Sequence, residues 1–167
     1  SSKAENIINC SIFFKYKIPE GRGDTFNLKY KNKNIKLIDE SYNSNPLSLK
    51  FAIKNFENIN VNPRYKNLLL GDMLELGKFS KKLHVKAAKF INNSKFNKLY
   101  VIGRHIKDTF NKIKTQKQGK VLKNDKEIFD LFKNVLKNKD YIMVKGSNAS
   151  GLNKIISNIK KENLNAL

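Results

Sequence analysis

Residues 67–103 read NLLLGDMLELGKFSKKLHVKAAKFINNSKFNKLYVIG, and this stretch decides the fold. It opens on a short apolar run, Asn67–Leu70, that stops at Gly71. It closes on a second run, Lys98–Ile102, that stops at Gly103. Runs this short and this continuously apolar suit strands covered on both faces, as in a parallel sheet. Between them Leu83, Ala87, Phe90 and Ile91 recur at helical spacing over Lys81–Ile91. A strand, a loop, a helix and another strand make one crossover unit.

Working outward, the unit repeats. Tyr141–Lys145 is a third apolar run ending at a glycine, Gly146, and Gly119–Leu122 is a short extra strand. Thr25–Tyr30 and Ile35–Ile38 flank the polar turn Lys31–Asn34 and read as a hairpin, which adds one antiparallel strand. Pro46 to Ile59 places Leu47, Phe51, Ala52 and Phe56 on one stripe, with Pro46 suited to a first helical turn. Further helices are marked by Ile106, Phe110 and Ile113, by Ile128, Leu131, Phe132, Val135 and Leu136 (capped by Asn124 or Asp125), and by Leu152, Ile155, Ile156 and Ile159. The expected fold is α/β: a doubly wound, mostly parallel sheet of about six strands with one antiparallel strand and helices on both faces. Residues 1–18, with Ile7, Ile8 and Ile12–Phe14, fall outside this alternation and read as the tail of something preceding the domain. The domain is expected to span 19–160, with 161–167 as a tail.

Composition bounds the function. The 167 residues suit one domain, and 40% hydrophobic residues suffice for a core. No apolar run is long enough to span a membrane, residues 1–9 lack a signal-peptide pattern, and a single cysteine, Cys10, excludes an internal disulfide. A reducing, cytoplasmic setting and a monomer are expected. The formal charge of +20 raises the alternative of a basic nucleic-acid-binding α/β domain. Against it, only Arg22, Arg64 and Arg104 among the 34 basic residues are arginine, the side chain that forks onto bases. Abundant Lys, Asn, Ile and Phe match A/T-rich codons, so the lysines are expected to decorate solvated faces, with no nucleic acid as partner.

The chain lacks a complete catalytic set. No G-x-x-x-x-G-K-[ST] loop and no G-x-G-x-x-G fingerprint occurs, which also weakens a stand-alone dehydrogenase-like domain. His84 and His105 have no cysteine partners at metal-binding spacing, and His84, beside an apolar stripe, reads as a core or helix-surface residue. No metal site is expected here. In open α/β sheets ligands bind beyond the carboxyl ends of the strands, here Asp39–Asn45, Gly71–Gly77, Gly103–His105 and Lys145–Asn148.

Those ends carry recognisable words. Asp39–Pro46 (DESYNSNP) resembles a D-D-S-Y-N-A-N-P segment of the Mur ligase family, in the branch that attaches the terminal dipeptide. Gly71–Gly77 (GDMLELG), with His84 and Val85 following, is similar to that branch's G-D-M-L-E-L-G…H-x-V-G. Val144–Ser147 followed by Gly151 and Leu152 resembles V-K-G-S-R-x-x-G-L, and Gly21-Arg22-Gly23 matches the G-R-G that opens the family's C-terminal domain.

The resemblance implies a Rossmann-like C-terminal domain that closes over an active site shared with two other domains. It implies ATP and Mg2+ as cofactors, bound mainly by a central domain. It also implies D-alanyl-D-alanine and UDP-N-acetylmuramoyl-tripeptide as substrates. On the ATP side it places Arg22, whose guanidinium can brace phosphates, and Glu40 at the ribose, with Asp39 able to share that task. Glu40 stands where the family usually has Asp. On the dipeptide side it places Tyr42, Asn43, Asn45, Lys145 and Ser147, the last two holding the carboxylate. The family's Arg after that Ser is Asn148 here. Asp72 and Glu75 are expected in a loop facing the same cleft, ordering it or meeting the dipeptide ammonium. No catalytic residue is expected in this chain.

Overall fold

The computed structural model describes residues 20–30 and 32–164. The expectations placed on residues 1–18 and on Cys10 lie outside them. Among the described residues, six strands form one sheet in the order β1-β2-β6-β3-β4-β5. They are β1 (Asp24–Tyr30), β2 (Lys33–Glu40), β3 (Lys66–Gly71), β4 (Lys98–Ile102), β5 (Gln118–Leu122) and β6 (Tyr141–Lys145). Only β1 runs antiparallel, and its pairing brings Tyr30 opposite Lys33, so β2 begins two residues before the expected Ile35. The chain is the doubly wound α/β fold expected.

Among the described residues, five α-helices cover the two faces: α1 (Pro46–Asn58), α2 (Ser80–Asn93), α3 (Ile106–Phe110), α4 (Asp125–Asp130) and α5 (Leu152–Leu164). The first three share one core with Leu68, Leu70, Val101 and Met143. The last two share the opposite core with Leu37, Leu69, Ile142 and Val144. Alternate residues of β3 thus feed both cores, and the whole strand is buried, which is why it reads as an unbroken apolar run. Asn124 caps α4 by accepting from the Glu127 amide. The helix then continues as a π-helical turn, Leu131–Val135, whose Val135 is exposed instead of buried.

Three expectations are corrected. In α1 the buried stripe is Leu49, Ala52, Ile53 and Phe56, while Leu47 and Phe51 are 63% and 56% exposed. The segment is apolar around too much of its circumference for spacing to choose the inward face. The domain does not end at residue 160, because α5 runs to Leu164 and Asn163 is buried, exchanging hydrogen bonds with the backbone N–H and C=O of Lys29. Nor do all lysines sit on solvated faces. Lys66 is 1% exposed and its ammonium donates to the carbonyls of Glu57 and Ile59, at the end of α1. Carbonyls at a helix C-terminus lack intrahelical partners, and a cation there also meets the negative end of the helix dipole.

Replacing Lys66 by Met keeps the volume but leaves those two carbonyls without that donor. The expected outcome is a loss of about 1–3 kcal/mol in a urea melt, with an unchanged slope.

Candidate functional site

Strand β6 enters between β2 and β3, so three carboxyl ends lie side by side. In open α/β sheets, strand ends where successive connections depart in opposite directions form a ligand crevice. The DESYNSNP, GDMLELG and VKGS words all sit at these strand ends.

Ser147 ties these loops together. Its hydroxyl donates to the Ser44 carbonyl (3.3 Å) and accepts from the Leu74 amide (2.7 Å), while its own amide donates to the Asp72 carbonyl (3.1 Å). Lys145 is 3% exposed. Its ammonium donates to the Asn43 carbonyl (2.8 Å) and lies 3.5 Å from the Glu40 carboxylate. Burial pushes the Lys145 amine below the usual lysine range, and the Glu40 charge opposes that shift.

Asp72 is turned inward. Its carboxylate accepts from the amides of Arg104, His105 and Ile106, anchoring the β4–α3 turn. Gly103 makes room for it: at φ +134°, a Cβ there would fall 2.5 Å from the Asp72 carboxylate. Glu75, in contrast, is exposed, in the left-handed region at φ +64°. The loop is held from below by His84, which is wholly buried. Its Nε2 accepts from the Met73 amide (3.1 Å), so the proton sits on Nδ1, which donates to the Ser80 carbonyl (2.9 Å). Burial lowers the His84 pKa below its ordinary 6.5.

The GRG segment lies against the other side. Gly21 accepts from the Tyr42 amide (3.0 Å), and a Cβ on Gly21 would meet that nitrogen at 2.8 Å. This close approach lays the Arg22 guanidinium over the Tyr42 ring, 4.2 Å from its centre. Arg22 is exposed and forms no ion pair among the described residues.

The structure therefore brings Arg22, Tyr42, Glu40, Asn43, Lys145 and Ser147 to one crevice. It does not bring Asp39 there. Asp39 is 2% exposed, one oxygen accepts from the Ser41 amide and hydroxyl, and the other pairs with Lys160 of α5. Both oxygens serve the fold. Asn45 caps α1 in a reciprocal box with Ser48, which occupies its side-chain oxygen. One participant escaped the sequence reading: Ser44, where the resembled segment has Ala. Its carbonyl anchors Ser147, while its hydroxyl is buried without a hydrogen-bond partner among the described residues. Among the described residues no cluster of three or more His, Cys, Asp or Glu side chains comes together to hold a metal ion. No described helix is long and apolar enough to cross a membrane.

Fold and loops together define a Rossmann-like α/β domain. The family described as Mur ligase, glutamate ligase domain, matches residues 26–148, and the chain belongs to it. The UDP-N-acetylmuramoyl-tripeptide–D-alanyl-D-alanine ligase of Buchnera aphidicola subsp. Acyrthosiphon pisum is 38% identical over 131 residues, 75% of this chain and 27% of that protein. The ligase of the same name from Rickettsia prowazekii is 27% identical over 139 residues, 83% of this chain and 30% of its own length. Among solved structures, MurF from Acinetobacter baumannii has a TM-score of 0.69 at 17% identity, covering 88% of this chain and 31% of that one. MurF ligase from Thermotoga maritima in complex with ADP has a TM-score of 0.63 at 23% identity, covering 92% and 33%. At these identities the structures speak for the fold. The chain spans roughly 27–30% of the length of these curated relatives.

Two outcomes are expected. Ser44→Ala removes an unpaired buried hydroxyl and should raise stability by about 1 kcal/mol in a chemical melt. His84 binds fewer protons folded than unfolded, so its contribution is present above pH 6.5 and is lost as the pH falls through the lowered folded pKa. His84→Gln, which keeps an acceptor, should flatten that part of the stability–pH curve and retain slow exchange of the Met73 amide; His84→Leu should flatten the curve and lose the protection.

Proposed function

We propose that the chain is the C-terminal domain of an ATP-dependent ligase that joins D-alanyl-D-alanine to UDP-N-acetylmuramoyl-tripeptide. The observation that carries this reading is the meeting of the DESYNSNP, GDMLELG and VKGS loops at one crevice, bonded to one another through Ser147. The printed names of the curated relatives supply the substrates.

The chemistry divides in two. ATP phosphorylates the tripeptide carboxylate, the dipeptide amine attacks the acyl phosphate, and the tetrahedral intermediate expels phosphate. Mg2+, which would moderate phosphate charge, has no carboxylate cluster to hold it among the described residues and belongs with the central domain. This domain positions the nucleophile and completes the ATP site when it closes. Arg22, flat on Tyr42, offers its fork of donors to the ATP phosphates. Glu40 accepts from the ribose hydroxyls. The Lys145 ammonium has three donors, of which Asn43 and Glu40 engage two. The third, with Asn43 and Ser147 beside it, meets the dipeptide carboxylate. Asp72 acts through the loop, and exposed Glu75 is the acid placed to meet the dipeptide ammonium. The ligase works on cytoplasmic precursors as a monomer.

A chimera tests this. The matching segment of the Buchnera relative is replaced by this chain, and phosphate release is followed. Release that requires both D-alanyl-D-alanine and the tripeptide is expected, with none from the isolated chain. Arg22→Ala should raise the KM for ATP about tenfold or more, and Asn148→Arg, which restores the resembled cation, should lower the KM for the dipeptide. A folded chimera that hydrolyses ATP but never requires the dipeptide would overturn the proposal.

A further inference from the structure

Helix α1 is more apolar than the face it buries demands. Leu47 and Phe51, one turn apart, point away from the core and are 63% and 56% exposed. Single exposed apolar residues are ordinary. Leu47 is not isolated, and Phe51 lies one turn further along α1, outside the groove lining. Leu47 stands across from Leu83 and Phe90 of α2, and with them it lines a groove of about 450 Å3 between the two helices. Phe79 and Val85, 55% and 37% exposed, lie at the head of α2. Of the large apolar side chains exposed among the described residues, only Val135 lies away from these two helices.

The charge around the groove is one-sided even for this chain. Lys50, Lys86 and Lys89 line it. Helices α1 and α2 carry six lysines and a single carboxylate. That carboxylate, Glu57, sits at the far end of α1 and accepts from the Lys95 amide. By comparison, the six residues of α4 alone hold Asp125, Glu127 and Asp130.

Shape decides between two kinds of acidic surface. A flat bilayer rests on the rim of a groove between helices and leaves its floor empty. A helix laid along it inserts a row of side chains, and flanking carboxylates then meet the lysines. We propose that the α1–α2 groove is a docking site for an amphipathic helix whose apolar row is bordered by Asp or Glu. The groove begins at Pro46, next to the Asn45 cap of the crevice loop, so its occupant sits against the helix that frames the site. The inference does not depend on the proposed reaction.

The probe is a labelled synthetic peptide of about 18 residues, long enough to be helical, with Leu at helical spacing flanked by Glu; a second peptide carries Lys instead. Anisotropy and amide shifts are read on the full chain. Binding of the Glu peptide is expected, with shifts confined to α1 and α2. The double change Leu47→Ser and Phe51→Ser, at exposed positions that leave the core intact, should weaken it about tenfold or more. Lys86→Glu with Lys89→Glu should reverse the preference toward the Lys peptide. Absence of binding overturns the proposal. So does binding that the serine changes leave untouched, which marks generic attraction to a +20 chain. Binding of phosphatidylglycerol vesicles with the same Leu47 and Phe51 dependence, and no peptide binding, overturns it in favour of a lipid surface.

Discussion

Strand β6 pairs with β2 on one side and β3 on the other, so the sheet is not continuous until residues 141–145 are in place. Everything at the crevice follows from that insertion. Lys145 and Ser147 arrive at the centre of the sheet, with the β2 loop to one side and the β3 loop to the other. A single hydroxyl can then bond two loops that are separated from it by 73 and 103 residues. A buried polar network of this kind is costly unless every member is satisfied. Here the backbone groups are provided by loops that have no regular structure of their own. The price of that arrangement is visible at Ser44, whose hydroxyl stays unpaired.

The same economy runs through the lysines. Lys66 closes the carbonyl end of α1, Lys117 that of α2 through the Asn92 and Ser94 carbonyls, and Lys33 that of the π-helical turn through the Lys133 and Leu136 carbonyls. Each cation lies where a helix dipole is negative and where carbonyls would otherwise lack partners. Lys160 reaches from α5 to Asp39 beneath β2, and Lys145 reaches Glu40. A composition that reads as solvated charge therefore supplies several internal fastenings.

Legibility divided along physical lines. Strands covered on both faces announce themselves as short apolar runs, so β3, β4 and β6 were found to within a residue or two. The N-cap of α4 was legible because Asn124 acts on its own helix. The inward face of α1 was not, since Leu47, Leu49, Phe51, Ala52 and Ile53 support two different stripes and only the sheet beneath selects one. Asp39 was placed on the crevice because its neighbours in sequence are there. Strand alternation and Lys160, 121 residues away, turn it inward.

The sequence by itself determined the alternation of strands and helices, the family to which its loop words belong, and the residue types that gather at the strand ends. These are local properties: periodicity, turn chemistry and short motifs act over a few residues. The tertiary structure alone decided which of those polar residues stay exposed and which are consumed by the fold. Asp39, Asp72 and His84 became fastenings, while Arg22 lies exposed on the ring of Tyr42 with no ion pair among the described residues. Hydrogen-bond partners are allotted by proximity in space, and at this crevice the partners come from segments that only the sheet brings together.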